Sequence, residues 1–319
     1  MRAQFGLRSQ MAQSVIKTVI ARYKSVLAHG HPWTRVQFTK PALDLVWNRD
    51  YSLKTGGFSI NTLDGRVQVP FARQGMERFF DGTWQFGTAH LVYRHGRWFL
   101  HVPMTQEVAE PDWAAIRQVV GLDFGINFLV TAYDSQGKTT FFSGRAVKAR
   151  RAHFKMLRQT LQRRQTPSAR RRLKRVGQRE HRWMTAVNHQ VSKALVARYG
   201  AQTLFVVEDL TGIRGATARV RRRDRYTTVS WAFYQLRQML EYKAAVHQAR
   251  TVAVDPRYTS QTCPKCGHVA RANRDKRRHR FACQQCQYRS NDDRIGAMNL
   301  HRLGIEYRVT GATAAGPRS

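Results

Sequence analysis

Hydrophobic positions in the second half of the chain fall into short apolar runs separated by turn residues and long polar stretches. Five such runs have the length and the Val, Leu and Phe content of strands. They cover 118–124, 127–133, 139–142, 203–208 and 251–254. Helical spacing follows the third run in a long basic segment, and it returns at about 229–249 and from about residue 291. The element order βββ-α-β-α-β-α predicts a mixed α/β domain.

The first third of the chain has a different pattern. The stretch SQMAQSVIKTVIARYKS predicts a helix, whereas residues 33–104 alternate in places and are rich in Trp, Tyr, Phe and Val, which predicts antiparallel strands. No apolar run approaches the ~18 residues that a membrane-spanning helix needs. The N-terminus also lacks the apolar core and cleavage site of a secretory signal. We therefore expect a prokaryotic cytoplasmic protein without a membrane partner.

The net charge of the chain predicts the kind of partner that it binds. The 319 residues include 55 Lys and Arg against 20 Asp and Glu, a net charge of +35. An excess of this size repels itself unless a polyanion is bound, so we expect a nucleic-acid partner. An anionic membrane surface is the weaker alternative, because the charge is spread along the chain.

Two segments concentrate the positive charge. Residues 145–182 carry 15 Lys and Arg, and residues 219–225 read RVRRRDR in a predicted loop. Arginine favours bidentate contacts to phosphate, although a solvated helix face is the simpler alternative. The candidate nucleic-acid contacts are Arg150, Arg151, Arg163, Arg164, Arg171, Arg172, Arg221, Arg222 and Arg223.

The four cysteines form two C-x2-C pairs, Cys263 with Cys266 and Cys283 with Cys286, with 16 residues between the pairs. This is the spacing of a zinc ribbon, in which two knuckles supply four thiolates to one tetrahedral ion. Four protein ligands leave no open position, so the expected zinc is structural. Two disulfides are the alternative, which a cytoplasmic location disfavours.

Acidic residues are scarce, which gives weight to three in apolar surroundings. Asp123 lies near the end of the first predicted strand, Glu208 ends the fourth, and Asp293 lies in the first turn of the last helix. Each alone can be a turn, ion-pair or capping residue. The element order is that of an RNase H-like fold, which brings carboxylates from these three elements to one site. Together they predict a site for Mg²⁺, which takes oxygen ligands and bridges to phosphate.

Six stretches together resemble the TnpB (OrfB) nucleases of insertion sequences, relatives of the type V CRISPR effectors. They are GLDFGINFLVTAYD, NHQVSKALVARYG, VVEDLTGIR, SWAFYQLRQMLEYKA, VDPRYTSQTCPKCG and CQYRSNDDRIGAMNL. The resemblance implies an RNase H-like (RuvC) nuclease domain with an inserted zinc ribbon, preceded by a helical recognition lobe and a β-barrel-like wedge. We also expect an N-terminus shorter than is usual for the family.

The resemblance also implies domain boundaries. They are a recognition-lobe segment at 1–32, a wedge at 33–117, the RuvC-like domain at 118–257, the ribbon at 258–290, the last RuvC-like helix at 291–305 and a flexible tail at 306–319.

By this resemblance Asp123, Glu208 and Asp293 are catalytic and hold two Mg²⁺ ions. Asp293, rather than Asp292, aligns with the family's D-x-N-A-A-x-N-I, where Ile295 and Gly296 replace Asn and Ala. The implied activity is RNA-guided DNA cleavage by a monomer or homodimer. Its partners are a transposon-derived guide RNA and a double-stranded DNA target with a short adjacent motif. The 219–225 cluster would lie near the active site.

Three alternatives stay open from sequence alone. A nuclease-inactive RNA-guided DNA-binding protein would have lost a carboxylate, and none is lost here. A transposase acting on transposon ends would need a domain that binds the terminal repeats, and none is evident. A plain zinc-ribbon RNA-binding protein would not need three carboxylates in apolar surroundings.

Overall fold

The computed structural model describes residues 2–39, 41–54, 56–71, 74–94, 96–109, 111–209 and 231–309. The chain divides into two compact units, residues 1–107 and 108–319. Among the described residues, no helix combines the length and apolar content that crossing a membrane requires.

The first unit contains two helices and three small antiparallel sheets. Helices α1 and α2 span Arg2–Phe5 and Ser9–Ala28. Strands β1 to β8 span Ala42–Leu45, Tyr51–Lys54, Gly57–Thr62, Gly65–Val69, Gln85–Phe86, Ala89–Arg94, Arg97–His101 and Met104–Thr105. They pair as β2-β3-β4, β1-β6-β7 and β5-β8. Alternating apolar residues of the first two sheets enclose a core around Leu45, Tyr51 and Phe58.

A five-stranded sheet organises the second unit. Its strands are β9 (Gln118–Asp123), β10 (Phe128–Asp134), β11 (Thr139–Ser143), β12 (Thr203–Glu208) and β13 (Arg250–Val254). Their order across the sheet is β11-β10-β9-β12-β13. β10 runs antiparallel to β9 and β11, whereas β12 runs parallel to β9 and β13. These five strands lie within one residue of their predicted bounds.

Four α-helices lie among the described residues of this unit. They are α3 (Arg145–Arg164), α4 (Pro167–Tyr199), α5 (Trp231–Val246) and α6 (Asp292–Val309). The side chain of Thr166 caps the start of α4 by accepting a hydrogen bond from the Ala169 N–H at 3.2 Å, and Pro167 takes the first helical position, where no N–H is needed.

Helices cover both faces of the sheet, and the two-residue period of the strands assigns each side chain to a face. Val120, Leu122, Phe205 and Val207 pack against α4 and α5. The alternate residues of the same strands face α6, which adds Leu300 to their core. Burial on both sides explains why the sequence of β9 is almost continuously apolar.

Two glycines let α6 lie directly on the sheet. A Cβ at Gly121 would fall 2.1 Å from the backbone oxygen of Ala297, and one at Gly304 would fall 2.3 Å from Val206 Cγ2. Neither distance is compatible with a side chain. This close contact fixes where the first turn of α6, which carries Asp293, sits relative to the strand ends.

The last helix is longer than predicted. It continues to Val309, so residues 306–309 are helical rather than part of a flexible tail that begins at 306. An Arg302–Glu306 ion pair at 3.6 Å and contact between the Trp113 and Tyr307 rings hold its final turns. Residues 310–319 lie outside the described residues.

A small three-stranded sheet lies between β13 and α6 in the chain. Strands β14 (Arg274–Asp275), β15 (Arg280–Ala282) and β16 (Arg289–Asn291) pair antiparallel in that order. β16 runs directly into α6, so this sheet and the final helix are joined without a linker.

Candidate active site and metal centres

The structure brings the three predicted carboxylates to one edge of the main sheet. Asp123 and Glu208 are the last residues of the parallel neighbours β9 and β12, in which Val207 pairs with Leu122. Asp293 enters from the first turn of α6. Residues 85 positions apart in the chain therefore meet because parallel strands end at the same edge.

The site is electrostatically costly without a cation. Burial, and after it the charges of Glu208 and Asp293, raise the pKa of Asp123 well above its ordinary value. Burial likewise raises the pKa of Glu208 and of Asp293. Buried like charges persist in folded proteins when a bound cation compensates them. The donor set, three carboxylates, is one that Mg²⁺ accepts.

Arg274 is a site residue that the sequence did not reveal. It lies in β14, where its Nε donates to Asp292 Oδ2 at 2.9 Å. Its positive charge offsets part of the rise in the pKa of Asp123, Glu208 and Asp293. In the sequence it stands within the basic run RANRDKRRHR, where nothing separates it from its neighbours. Its position depends on the pairing of β14 with β15, which brings it back toward α6.

The two adjacent aspartates of α6 have different surroundings. The Asp292 carboxylate is fully buried and paired with Arg274, whereas the charge of Asp293 acts on Asp123. His279 Nδ1 lies 3.5 Å from Asp292 Oδ1, and His279, Asp292 and Asp293 form one of two groups of potential ligands, among the described residues, whose atoms lie within 4.8 Å of one another. Asp292 therefore already has a cationic partner in the protein.

The two departures from the family motif have structural partners. Ile295 is fully buried in a cluster with Cys263, Phe281 and Cys283, so its apolar side chain packs on the cysteine domain. A Cβ at Gly296 would lie 3.0 Å from the Asp123 carboxylate. Glycine at this position leaves room for the carboxylate beside the helix.

The four cysteines form the other potential metal site. Cys263 Sγ lies 3.5 Å from Cys286 Sγ, and Cys266 Sγ lies 3.5 Å from Cys283 Sγ. Disulfide sulfurs lie ~2.05 Å apart, and all four cysteines are free. A tetrahedral ion with metal–sulfur bonds of ~2.3 Å places its ligands ~3.8 Å from one another, close to the observed spacing. The four sulfurs can therefore hold one metal ion.

The two cysteine knuckles have equivalent backbones. In each knuckle the N–H four residues after the first cysteine donates to that cysteine's carbonyl, at 2.9 Å from Gly267 to Cys263 and 3.1 Å from Gln287 to Cys283. Gly267 and Gln287 occupy the same left-handed position, with φ of 75° and 60°. Burial alone would raise the pKa of Cys283, but backbone hydrogen bonds from Cys286 and Gln285 outweigh it and lower the pKa to about 6.

Asn273 joins the two knuckles, and the sequence did not single it out. Its buried amide donates to the carbonyls of Gln261 and His268 at 2.9 and 3.2 Å, and its Oδ1 accepts from the Gln284 N–H at 2.9 Å. One side chain therefore satisfies backbone groups on both sides of the cysteine cluster, next to Arg274.

The basic segment 145–182 forms a helical hairpin, α3 and the first half of α4. Twelve of its 15 Lys and Arg side chains are exposed; Arg151, Lys155 and Arg158 are half-buried. Arg158 pairs with Glu180, the one acid of the segment, and the Arg150 guanidinium lies 4.9 Å from the centre of the Trp183 ring. Arg163, Arg164, Arg171 and Arg172 are exposed near the turn. Arg221, Arg222 and Arg223 lie outside the described residues.

The fold has a known counterpart. A solved structure of a mini-RNA-guided endonuclease, CRISPR-Cas_phi3, superposes with a TM-score of 0.52 at 13% identity and covers 78% of this chain and 57% of that one. The mixed α/β fold of this chain is therefore of the kind found in Cas12-type effectors.

Two family models match parts of the sequence. The family model described as "Probable transposase" (OrfB) matches residues 101–215, and the model described as "Cas12f1-like, TNB domain" matches residues 233–300. These matches confirm the resemblance to the TnpB (OrfB) family.

Curated proteins of similar sequence include two that are named as endonucleases. The CRISPR-associated endodeoxyribonuclease Cas12f1 of Sulfoacidibacillus thermotolerans is 27% identical over 244 residues, which are 70% of this chain and 55% of that protein. The putative RNA-guided DNA endonuclease InsQ of Escherichia coli K12 is 28% identical over 226 residues, 66% of this chain and 54% of that protein. The chain spans about half the length of these relatives.

Proposed function

We propose that the protein is an RNA-guided DNA endonuclease of a transposable element. The observation that carries this function is the convergence of Asp123, Glu208 and Asp293 in a chain whose net charge is +35. The names of its relatives, an endodeoxyribonuclease and a putative RNA-guided DNA endonuclease, support the same reading. A transposon-derived guide RNA would select the DNA target by base pairing, while the protein contacts backbones and a short adjacent motif.

We assign the second unit to the RNase H-like, RuvC type. The strand order β11-β10-β9-β12-β13, with β10 antiparallel to both neighbours and the last helix lying on β9, supports this assignment. We further propose that residues 33–117 form a wedge domain, that 1–32 belong to a recognition lobe, and that 258–290 are a zinc ribbon inserted before the last helix. The ribbon would hold one structural Zn²⁺ on Cys263, Cys266, Cys283 and Cys286.

In the proposed mechanism, Asp123 lies at the end of the central strand, and the charges of both other carboxylates act on it. Asp123, Glu208 and Asp293 would together hold two cations. Two Mg²⁺ ions held there would supply an activated water and stabilise the leaving oxygen of a phosphodiester. Arg274 would keep its ion pair with Asp292 beside these residues, and the partial burial of Asp123 and Glu208 limits their contact with bulk water.

The exposed guanidinium groups of the 145–182 hairpin are the proposed contacts for the nucleic-acid backbone. Arg163, Arg164, Arg171 and Arg172 lie around the turn between α3 and α4, and Arg150 and the half-buried Arg151 lie nearer the start of α3. Contacts of this kind release counterions, so affinity for RNA should fall steeply as salt is added.

The test is programmed cleavage of a plasmid by protein purified with the RNA of its own locus. We expect RNA to co-purify and Mg²⁺ to support cutting at sites matching that RNA. Asp123→Ala should abolish cutting and keep RNA binding. Asp255→Ala is the matched control, because this carboxylate is exposed and its contacts are with Arg257, an ion pair at 3.6 Å and a hydrogen bond from the backbone N–H at 2.9 Å.

Three results would contradict the proposal. Absence of bound RNA at moderate salt would exclude an RNA-guided enzyme. Guided binding without cutting would identify a nuclease-inactive DNA-binding protein, and strand joining at transposon ends would identify a transposase. Cutting by Asp123→Ala protein would overturn the site assignment.

A further inference from the structure

A threonine just before the first cysteine knuckle contacts one of the three carboxylates. Thr259 follows β13, is buried, and its hydroxyl lies 2.7 Å from Glu208 Oε1. The same hydroxyl lies 3.0 Å from the Pro256 carbonyl. A hydroxyl has one hydrogen to donate, and an ionised carboxylate is the stronger acceptor at the shorter distance. The Thr259 hydrogen therefore points to Glu208.

The backbone of Thr259 is held from α6. Asn299 is buried, and its Nδ2 donates to the carbonyls of Thr259 at 2.7 Å and Thr262 at 2.9 Å. Both neighbours of this nitrogen are carbonyl oxygens, so the orientation of the amide is fixed. The helix that carries Asp293 thus also fixes the residue that contacts Glu208.

We propose that Thr259 is a positioning residue for Glu208 and that Asn299 holds it in register with α6. In this arrangement one helix sets two of the three carboxylates, Asp293 directly and Glu208 through Thr259. A glutamate side chain has several rotatable bonds, and a fixed hydrogen bond to one oxygen leaves the other oxygen aimed at a cation. This inference rests on the proposed function, because it assigns a role in holding the same metal ions.

Thr262 provides a matched control. It lies three residues after Thr259 and is also buried. Its hydroxyl donates to the Tyr258 carbonyl at 2.9 Å rather than to a carboxylate. Its own carbonyl is the second acceptor of Asn299. Loss of the Thr262 hydroxyl therefore perturbs the segment 259–262 to a similar degree without removing a contact to Glu208.

The experiment measures Mn²⁺ binding to the purified full-length protein from the decrease of the free Mn²⁺ paramagnetic resonance signal, with Asp123→Ala protein as the blank. Removing a hydrogen bond that orients a metal ligand weakens metal binding by roughly 10- to 100-fold. We expect Thr259→Val to show a loss in this range, and Thr259→Ser and Thr262→Val to stay within about threefold of the unaltered protein. Zinc content checks that the cysteine domain is intact.

Cleavage gives a second readout. Thr259→Val should require more Mg²⁺ for half-maximal cutting by the same factor, and its rate at saturating Mg²⁺ should recover toward that of the unaltered protein. If Thr259→Val does not fold, Thr259→Ala is compared with Thr259→Ser, since these variants differ only by the hydroxyl.

The outcomes separate this inference from the proposed function. Equal Mn²⁺ affinities for Thr259→Val and the unaltered protein would overturn the positioning role. So would equal losses for Thr259→Val and Thr262→Val, or for Thr259→Ala and Thr259→Ser. If Asp123→Ala itself binds Mn²⁺ like the unaltered protein, it is the metal site of the proposed function that fails.

Discussion

The cysteine cluster and the carboxylate cluster are assembled in opposite ways. The cysteine ligands lie within 24 consecutive residues, and short backbone hydrogen bonds shape each knuckle around its own pair. The carboxylates come from residues 123, 208 and 293, and they meet only after two strands and a helix have packed. One site is a local structure, and the other is a product of the whole second unit.

The two clusters also differ in how they affect the stability of the folded state. Each knuckle satisfies its backbone groups internally and through Asn273. The carboxylates instead have raised pKa values because they are buried, and the charges of Glu208 and Asp293 raise the pKa of Asp123 further, which the charge of Arg274 offsets only in part. We therefore expect a metal ion to stabilise the first cluster by completing its ligand set and the second by neutralising its charge. Four substitutions test this contrast.

The largest effect should follow Cys283→Ser. Structural zinc supplies ~10–16 kcal/mol of folding free energy in small zinc domains, so losing a ligand should unfold the domain. Because β16 runs directly into Asp292, the start of α6 should be displaced and cleavage lost with it. Zinc content, circular dichroism and cleavage measure these losses. A zinc-free variant that still cuts would show that the two clusters are independent.

Asp123→Asn should have the opposite effect on the metal-free protein. Because the folded-state pKa of Asp123 is raised, its ionisation destabilises the fold, and stability declines as pH rises from about 4 through that raised pKa. The substitution should remove this decline, so the metal-free variant should unfold at a higher temperature than the unaltered protein at neutral pH. Thermal unfolding across pH measures it.

Mg²⁺ should reverse the order of these two proteins. Binding to the folded state raises the unfolding temperature of the unaltered protein, whereas the variant lacks the central ligand and should respond far less. An equal Mg²⁺ response in both proteins would contradict a carboxylate site that is stabilised by neutralisation.

Gly296→Ala should have an intermediate effect. The added methyl group would lie 3.0 Å from the Asp123 carboxylate, so either the helix or the carboxylate must move by a few tenths of an ångström. We expect cleavage to fall about tenfold with zinc content unchanged, since small misplacements of reacting groups are costly. Gly177→Ala in α4 is the control. Its Cβ would meet only Arg158 Nη2 at 3.9 Å, and alanine should stabilise that helix.

The smallest effect should come from Gln287→Gly. Gln287 has a φ of 60° in the second knuckle, where the first knuckle has Gly267. Glycine adopts this conformation without strain, so the variant should hold zinc slightly better, by roughly 0.5–1 kcal/mol. Gly267→Ala should lose a similar amount, and competition with a chelator measures both. Equal chelator midpoints for both variants and the unaltered protein would show that the knuckles are not shaped by local backbone preference.

Residue patterns predicted the knuckles and the strands of this chain, and the order of the elements predicted that the three carboxylates meet. The C-x2-C spacing determines the knuckles because both ligands of a pair lie on one turn, and apolar runs indicate β9, β10 and β12 because most of their residues are buried. The roles of Asp123, Glu208 and Asp293 rest on a family resemblance and stay a prediction.

Three contacts at the sites had no sequence signal. Arg274, Asn273 and Thr259 look like ordinary loop residues, and they reach their partners only through strand pairing and helix packing. The positions of such residues depend on the whole fold. Predicting them from one sequence would require the tertiary structure first.

The place of the cysteine domain before α6 has a consequence for synthesis. On the ribosome, the basic hairpin emerges first, the cysteine knuckles later, and Asp293 only after both knuckles are complete. Under the proposed function, a nascent chain would present the nucleic-acid contacts of α3 and α4 while the third carboxylate is still missing. Chain order alone would then delay the assembly of the proposed cutting site until the cysteine domain before it has been made.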